Sequence, residues 1–341
     1  MPNIFYKKAD FTPPDTEVLN QDLILPLIDS LLKEKFGETI RNIKPLTLST
    51  YHFVYEFKIQ NREYILKVSK FPDIIENLYL ENYLYTQELK ALPFGVGVHS
   101  FDVSRKQYTF PFMIMDKAKG LCLRQIDIGI QNYGTMIFNL GRAVAQYHSG
   151  CSNGSRFGLI DVATLIKDGH LMGNAPSWRE YIYSNLDEHL KFAYEHEVFD
   201  YLQLQKIHKC FTPKKTQFLD EINVCLLHGD LGSHNVFIDE ATLQVTSLID
   251  WEDALLGDPL YDAAMFASFF RMDEFLDDFL RGYESVIKIN DPHRQAKIWL
   301  YYLRIVIAKS VLRFKLRYDT VGASKSSPKI TLALQRLEQL K

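Results

Sequence analysis

Apolar positions along this chain follow two periods, and the period changes twice. After a polar, Pro-containing stretch over residues 1–16 that reads as extended, Leu23, Ile24, Leu27, Ile28 and Leu31 recur at helical spacing. Asn20-Gln21-Asp22 supplies an N-cap ahead of them, and Phe36-Gly37 closes the helix. From Ile40 the spacing shortens. Ile43–Leu48, Phe53–Ile59 and Arg62–Val68 read as three strands, the last two joined by a turn at Gln60-Asn61, so a small antiparallel sheet is expected. A helix is predicted from about Asp73 to Leu89, and an apolar strand over Tyr108–Met115. That strand runs into the polar, Gly-terminated link Asp116-Lys117-Ala118-Lys119-Gly120. Beyond the link the period turns helical: Gly134–His148, Trp178 to roughly His196, Phe199–Phe211 and Thr216–Leu226, with Phe157–Pro176 read as loop. Val245–Ile249 returns to a strand pattern. Lys309–Arg317 predicts an amphipathic helix with a basic outer face, and a loop after Tyr318 precedes a last helix. The pattern thus divides the chain into a sheet-bearing part, residues 1–115, and a mostly helical part, residues 116–341.

Within that pattern a few polar groups stand where burial makes them costly. Lys67 interrupts the apolar strand Tyr64-Ile65-Leu66-Lys67-Val68, which is unfavourable unless the ammonium is paired or binds a ligand. The helix that follows offers Glu76 and Glu81 as partners. Glu81 is preferred, and Glu76 remains a competitor. In the segment Leu227-His228-Gly229-Asp230-Leu231-Gly232-Ser233-His234-Asn235, Asp230 and Asn235 stand five residues apart on a loop, and Asp250 follows at the end of the Val245–Ile249 strand. Asp230 is placed to take the proton of an attacking hydroxyl. Asn235 and Asp250 offer the oxygen ligands that Mg²⁺ prefers.

Composition narrows the classes. With 341 residues, 47% apolar and 24% charged, the chain is long enough for two lobes and ordinary for a folded soluble protein. The balance of 39 basic and 42 acidic residues leaves no global pull toward nucleic acid. The four cysteines are scattered, without a Cys-x-x-Cys, which suits a reducing compartment. Residues 1–10 lack the apolar core of a signal peptide, and no run approaches the roughly 18 apolar residues of a membrane helix. A cytoplasmic protein with no membrane or nucleic-acid partner is expected. Monomer and dimer are both left open.

Three motifs in order, His228-Gly229-Asp230-Leu231-Gly232-Ser233-His234-Asn235, Ile249-Asp250-Trp251-Glu252-Asp253-Ala254 and Gly257-Asp258-Pro259-Leu260-Tyr261-Asp262, resemble the aminoglycoside phosphotransferase and choline kinase superfamily. Trp178-Arg179-Glu180-Tyr181-Ile182 looks most like its hygromycin-phosphorylating members. The resemblance implies an α+β, two-lobed protein-kinase-like fold, with a small antiparallel sheet in a nucleotide-binding lobe (1–115) and a helical catalytic and substrate-binding lobe (116–341). It implies transfer of the γ-phosphate of ATP, or GTP, to a hydroxyl of a small molecule with Mg²⁺ bound. Asp230 would orient and deprotonate the acceptor. Asn235 and Asp250 would hold the metal, and Lys67, oriented by Glu81, would contact the phosphates. Backbone groups near Met115 and Lys117 would meet adenine, while His228 and Asp262 would brace the catalytic loop. No Gly-rich loop joins the first two strands, so Ser49 and Thr50 are the candidates for covering the phosphates.

An aminoglycoside-type acceptor is the first expectation, and a choline-, homoserine- or sugar-like alcohol is the alternative. Asp273, Glu274 and Asp277 are candidates for meeting a cationic acceptor, against the plainer reading that they line a solvated helix face. Two other classes compete: a zinc hydrolase built from His228, Asp230, His234 and Asp250, and a nucleotide-binding pseudokinase without turnover.

Overall fold

The computed structural model describes residues 5–10, 18–38, 40, 42–46, 49, 51–126, 130–150, 156–269 and 272–340. The chain forms two compact units. One comprises residues 12–122 and 236–252, and the other residues 1–11, 123–235 and 253–341. The first eleven residues and the hairpin 236–252 therefore each belong to the other unit from the one a cut at 115/116 would give them.

The first unit is built on five antiparallel strands, β1 (Lys44–Leu46), β2 (His52–Ile59), β3 (Arg62–Ser69), β4 (Val98–Asp102) and β5 (Phe112–Asp116), in the spatial order β1-β2-β3-β5-β4. Alternation along β3 sends Tyr64, Leu66 and Val68 to one face and leaves Lys67 on the other. The helix Gln21–Phe36 lays Ile24, Ile28, Leu31 and Leu32 on the first face, in one core with Tyr55, Phe57, Phe110, Phe112 and Ile114. Asn20 caps that helix through its side chain, and left-handed Gly37 ends it. A three-stranded sheet, Val245–Leu248, Val236–Ile238 and Leu121–Cys122, completes the unit.

The second unit is mostly helical, with helices Ile130–Ser149, Leu186–Glu195, Tyr201–Cys210, Leu260–Ala267, Leu276–Glu284, Arg294–Lys315 and Ser327–Gln339. Helix Leu276–Glu284 packs closely on Ile130–Ser149. A Cβ on Gly282 would fall 1.9 Å from the Phe138 carbonyl oxygen, so only glycine permits that approach. Four short strands, Gly173–Ala175, Phe157–Ile160, Leu255–Gly257 and Cys225–Leu227, form an antiparallel sheet in that order. Among the described residues no helix is long and apolar enough to cross a membrane.

Several elements differ from the sequence pattern. Residues Lys7–Asp10 form a helical turn where extended chain was expected. The helix after β3 begins at Glu76 and continues from Leu84 as a π-helical turn. The Tyr108–Met115 strand shortens to Phe112–Asp116, after Pro111. The expected loop Phe157–Pro176 contains two strands and the helix Val162–Asp168. The expected helix Thr216–Leu226 is a 3₁₀ turn, Gln217–Leu219, and the strand Cys225–Leu227. Asn185, left-handed at φ 53°, breaks the helix expected from Trp178 to His196. The outer-face assignment of Lys309 is also corrected: the helix Arg294–Lys315 is buried from Lys297 to Val311, and Lys309 is 8% exposed. Helical periodicity alone cannot distinguish a half-covered helix from an enclosed one.

Candidate active site

In the sheet unit the Lys67 ammonium is clasped by both Glu81 carboxylate oxygens, at 2.8 and 2.7 Å, and stands 3.4 Å from Asp250 Oδ1. Glu81 is fully buried on the helix Glu76–Tyr83 and also accepts from Tyr85 Oη at 3.1 Å. Glu76 does not take part in this cluster. Burial alone would lower the Lys67 pKa, but Glu81, Asp250 and Glu252 reverse that and hold it raised. Asp250 follows the strand Val245–Leu248 and adopts a left-handed φ of 68°, uncommon for any residue but glycine and best tolerated by Asn and Asp. Asp250 keeps a quarter of its side chain exposed. Ser49 Oγ accepts from the His52 amide, and its carbonyl binds Lys70. Thr50 lies outside the described residues. Met115 is on β5, between β3 and β4. The Lys117 amide donates to the Glu63 carbonyl, and its ammonium pairs with Glu56 at 2.6 Å. That leaves the Lys117 carbonyl, not its N–H, as the backbone group open to a base.

The helical unit holds the other cluster. The strand Cys225–Leu227 delivers His228, Gly229 and Asp230 into a tight loop. Gly229 sits at φ +80°, and a Cβ there would meet the Asp253 carbonyl oxygen at 2.0 Å. Asp262, fully buried in the helix Leu260–Ala267, accepts the backbone N–H groups of His228 at 2.8 Å and Gly229 at 3.2 Å. Tyr147 Oη donates to the same carboxylate at 2.6 Å, and His148 Nε2 lies 3.3 Å away. Burial would raise Asp262, but its bonds to His148 and Tyr147 and the field of His148 and His228 hold its pKa lowered. The His228 ring accepts the Asp230 amide through Nδ1 at 3.3 Å. Asn235 Nδ2 donates to the Asp230 carbonyl at 2.9 Å, which leaves the amide oxygen as the atom open to a cation.

Asp230 itself is nearly fully buried and has three side chains close to its carboxylate. Lys8 Nζ lies 2.8 Å from its Oδ2, His234 Nε2 lies 3.6 Å from the same oxygen, and Tyr6 Oη donates to Oδ1 at 3.4 Å. Burial would raise its pKa, but Lys8, His234 and Lys309 hold it well below the usual carboxylate range. Lys8 also pairs with Asp253 at 2.9 Å. No spacing rule links residue 8 to residue 230, so sequence reading missed Lys8 and Tyr6. Asp253 lies inside the second motif, whose spacing does not reveal its pairing with Lys8. Asp273 is half-buried, whereas Glu274 and Asp277 are exposed.

A profile of the phosphotransferase enzyme family matches residues 43–297. Hygromycin-B 4-O-kinase of Escherichia coli is 23% identical over 254 residues, which cover 71% of this chain and 66% of that protein. Hydroxylysine kinase of Xenopus laevis is 23% identical over 332 residues, covering 88% of this chain and 83% of that one. The crystal structure of a thermostable mutant of aminoglycoside phosphotransferase APH(4)-Ia, in ternary complex with AMP-PNP and hygromycin B, superposes with a TM-score of 0.64 at 18% identity, over 91% of this chain and 98% of the other. That likeness establishes the kinase-like α+β fold. The family match spans three quarters of the chain, and on it the protein belongs to the phosphotransferase enzyme family.

Proposed function

We propose that this chain transfers the γ-phosphate of ATP to a hydroxyl of a small, amine-bearing molecule. The observation that carries the proposal is the buried Lys67, clasped by Glu81 with Asp250 beside it. A lysine held this way is a fixed cation for nucleotide phosphates, in a fold where catalysis is mostly positioning and charge neutralisation. The sheet unit takes the nucleotide, with Ser49 and the backbone near Met115 and Lys117 at its borders. The helical unit takes the acceptor. Asp230 orients the hydroxyl and receives its proton as the oxygen attacks the γ-phosphorus and the bond to the β-phosphate breaks. Asn235 in the helical unit offers an amide oxygen and Asp250 in the sheet unit a carboxylate oxygen, each a donor of the kind Mg²⁺ takes, and the family resemblance assigns both to the metal. Bound Mg²⁺ would supply charge neutralisation at the phosphates.

The acceptor is argued from charge. The APH(4)-Ia complex contains hygromycin B, and an aminoglycoside-type compound is the first candidate. A metabolic acceptor is favoured by a separate observation: the match to hydroxylysine kinase covers more of this chain, 88% against 71%. A nucleotide-consumption screen with Mg²⁺ across hygromycin B, other aminoglycosides, hydroxylysine and neutral polyols tests both. Acceptor-dependent ADP release with phosphorylated product supports the proposal. Nucleotide binding with no transfer to any hydroxyl would return the pseudokinase reading.

A further inference from the structure

The carboxylate of Asp253 is 2% exposed, and neither of its oxygens takes a hydrogen bond within the described residues. A buried carboxylate is costly unless compensated. Its compensation is the Lys8 ammonium, 2.9 Å from Oδ2, which also lies 2.8 Å from Asp230 Oδ2. One primary ammonium thus bridges the proposed catalytic base and a second buried acid. Both Asp230 oxygens are covered, Oδ2 by Lys8 and His234, Oδ1 by Tyr6. Each oxygen of Asp230 thus already has a partner on this segment, and an acceptor hydroxyl must compete with it.

The segment is docked, not merely adjacent. Phe5 is fully buried; its ring lies 3.7 Å from the Arg304 guanidinium and 5.2 Å from the Tyr181 ring, and its carbonyl accepts from Tyr181 Oη. Arg304 is fixed in turn by the carbonyls of Ile182 and Ser184 and by His189. Phe5 is the anchor, and Lys8, three residues on, is the group presented to the acids.

We infer that Asp253 and Asp230 form an ammonium subsite of the acceptor pocket, and that the segment Phe5–Lys8 is its intramolecular occupant, which an amine-bearing acceptor displaces. The inference rests on the phosphotransferase reading and adds to it a specificity residue, Asp253, and a self-blocking contact. A brace needed for turnover would leave the base free of close partners; here Lys8 engages Oδ2 at 2.8 Å and Tyr6 reaches Oδ1 at 3.4 Å. A fixed structural pair would not be expected to use the proton-accepting oxygen.

The test uses the full chain without nucleotide, with hygromycin B and hydroxylysine as probes. An occupant that must leave weakens apparent binding by the fraction of time the site is open. Lys8→Ala should therefore tighten binding of at least one amine by about tenfold or more in calorimetry, and adding Asp253→Asn should abolish the gain. Lys8→Gln, which keeps the stem, should behave like Lys8→Ala. In the unmodified chain, saturation with that amine should speed deuterium exchange of amides 5–10 while the rest is unchanged or slowed. Unchanged or weaker binding in both Lys8 variants, absence of binding of either amine to them, or slower exchange of residues 5–10 on saturation would overturn the inference. Neither readout needs turnover. Faster exchange without phosphorylated product counts against the phosphotransferase reading alone, and product without displacement counts against the subsite alone.

Discussion

Breaking the Lys67–Glu81 pair should separate stability from activity. Glu81 is fully buried and the Lys67 side chain is 11% exposed, so solvent screens the pair little. Glu81→Leu leaves the ammonium with Asp250 at 3.4 Å as partner, and Lys67→Met leaves a buried carboxylate with only the Tyr85 hydroxyl at 3.1 Å. Stranding one member of a buried pair costs about 3–5 kcal/mol. Glu81→Leu should fall at the lower end, because a carboxylate remains near, and Lys67→Met at the upper. The double variant strands no charge, and apolar replacement of a whole pair is close to neutral, so it should lie within about 2 kcal/mol of the unmodified chain. The singles together cost about 8 kcal/mol, so the coupling should exceed about 4 kcal/mol, far beyond that of independent sites. Urea unfolding followed by circular dichroism measures all four corners of the cycle. Phosphotransfer should be lost in all three variants, including the stable one, because the proposed phosphate lysine or its clamp is gone. A double variant as unstable as the sum of the singles would refute the pair argument, and one that is stable and active would refute the role of Lys67.

Three further outcomes are expected. Asp230→Asn should lower kcat about 10²–10⁴-fold, the usual worth of a general base, with circular dichroism unchanged; retained kcat would remove Asp230 from the chemistry. Asp262→Ala strands the buried N–H groups of His228 and Gly229 and should destabilise by about 3 kcal/mol, read in denaturant. Because its folded pKa is lowered, Asp262 contributes its stability above the unfolded value near 4, roughly, and loses it as pH falls through the folded value; the gap between the unmodified chain and Asp262→Ala should shrink in acid melts. Burial, with the field of Arg313, pushes Lys329 down to about 8, so the folded chain carries a charge penalty below that pH and sheds it as pH rises. Lys329→Met should therefore gain more in Tm at pH 7 than at pH 10, and an equal shift at both would contradict the burial argument.

The parts of this site that sequence displayed are those in which neighbouring residues share one task. The candidate catalytic loop is legible because Asp230 and Asn235 must leave one turn on fixed sides, which ties residue types to a spacing. Lys67 is legible because a cation in an apolar strand calls for a partner, and the following helix supplies one. Short elements were harder. Leu226 and Leu227 belong to an apolar run whose length suits either a helix turn or a buried strand, and only pairing with Leu255 and Leu256 decides for strand. In Phe157–Pro176 the elements are three to seven residues long, too short for a period to register. Lys309 defeated periodicity differently. Its helix is covered on most sides, and its ammonium ends on the Ser268 hydroxyl at 2.9 Å, over the Phe269 ring. No local pattern marks a cation that burial has turned inward.

The buried acids of the helical unit differ in where their compensation comes from, and that difference separates support from chemistry. Asp262 is held by two backbone amides, a tyrosine and a histidine, all carried on packed strands and helices. Asp258 is held by the Leu260 amide, Tyr301 and Lys297. None of these groups can leave without unfolding part of the unit, so both acids are braces. Asp230 and Asp253 take their counter-charge instead from Lys8, on the short helical turn Lys7–Asp10, far in sequence from both acids. A counter-charge supplied by a separate segment is the kind a ligand can replace, because exchange of one ammonium for another keeps both acids neutralised throughout. The same reasoning explains why a base this close to a lysine is serviceable. In phosphoryl transfer through a loose transition state the hydroxyl needs orientation more than early deprotonation, so the proposed base can serve while an ammonium, from Lys8 or from an acceptor, stays beside it.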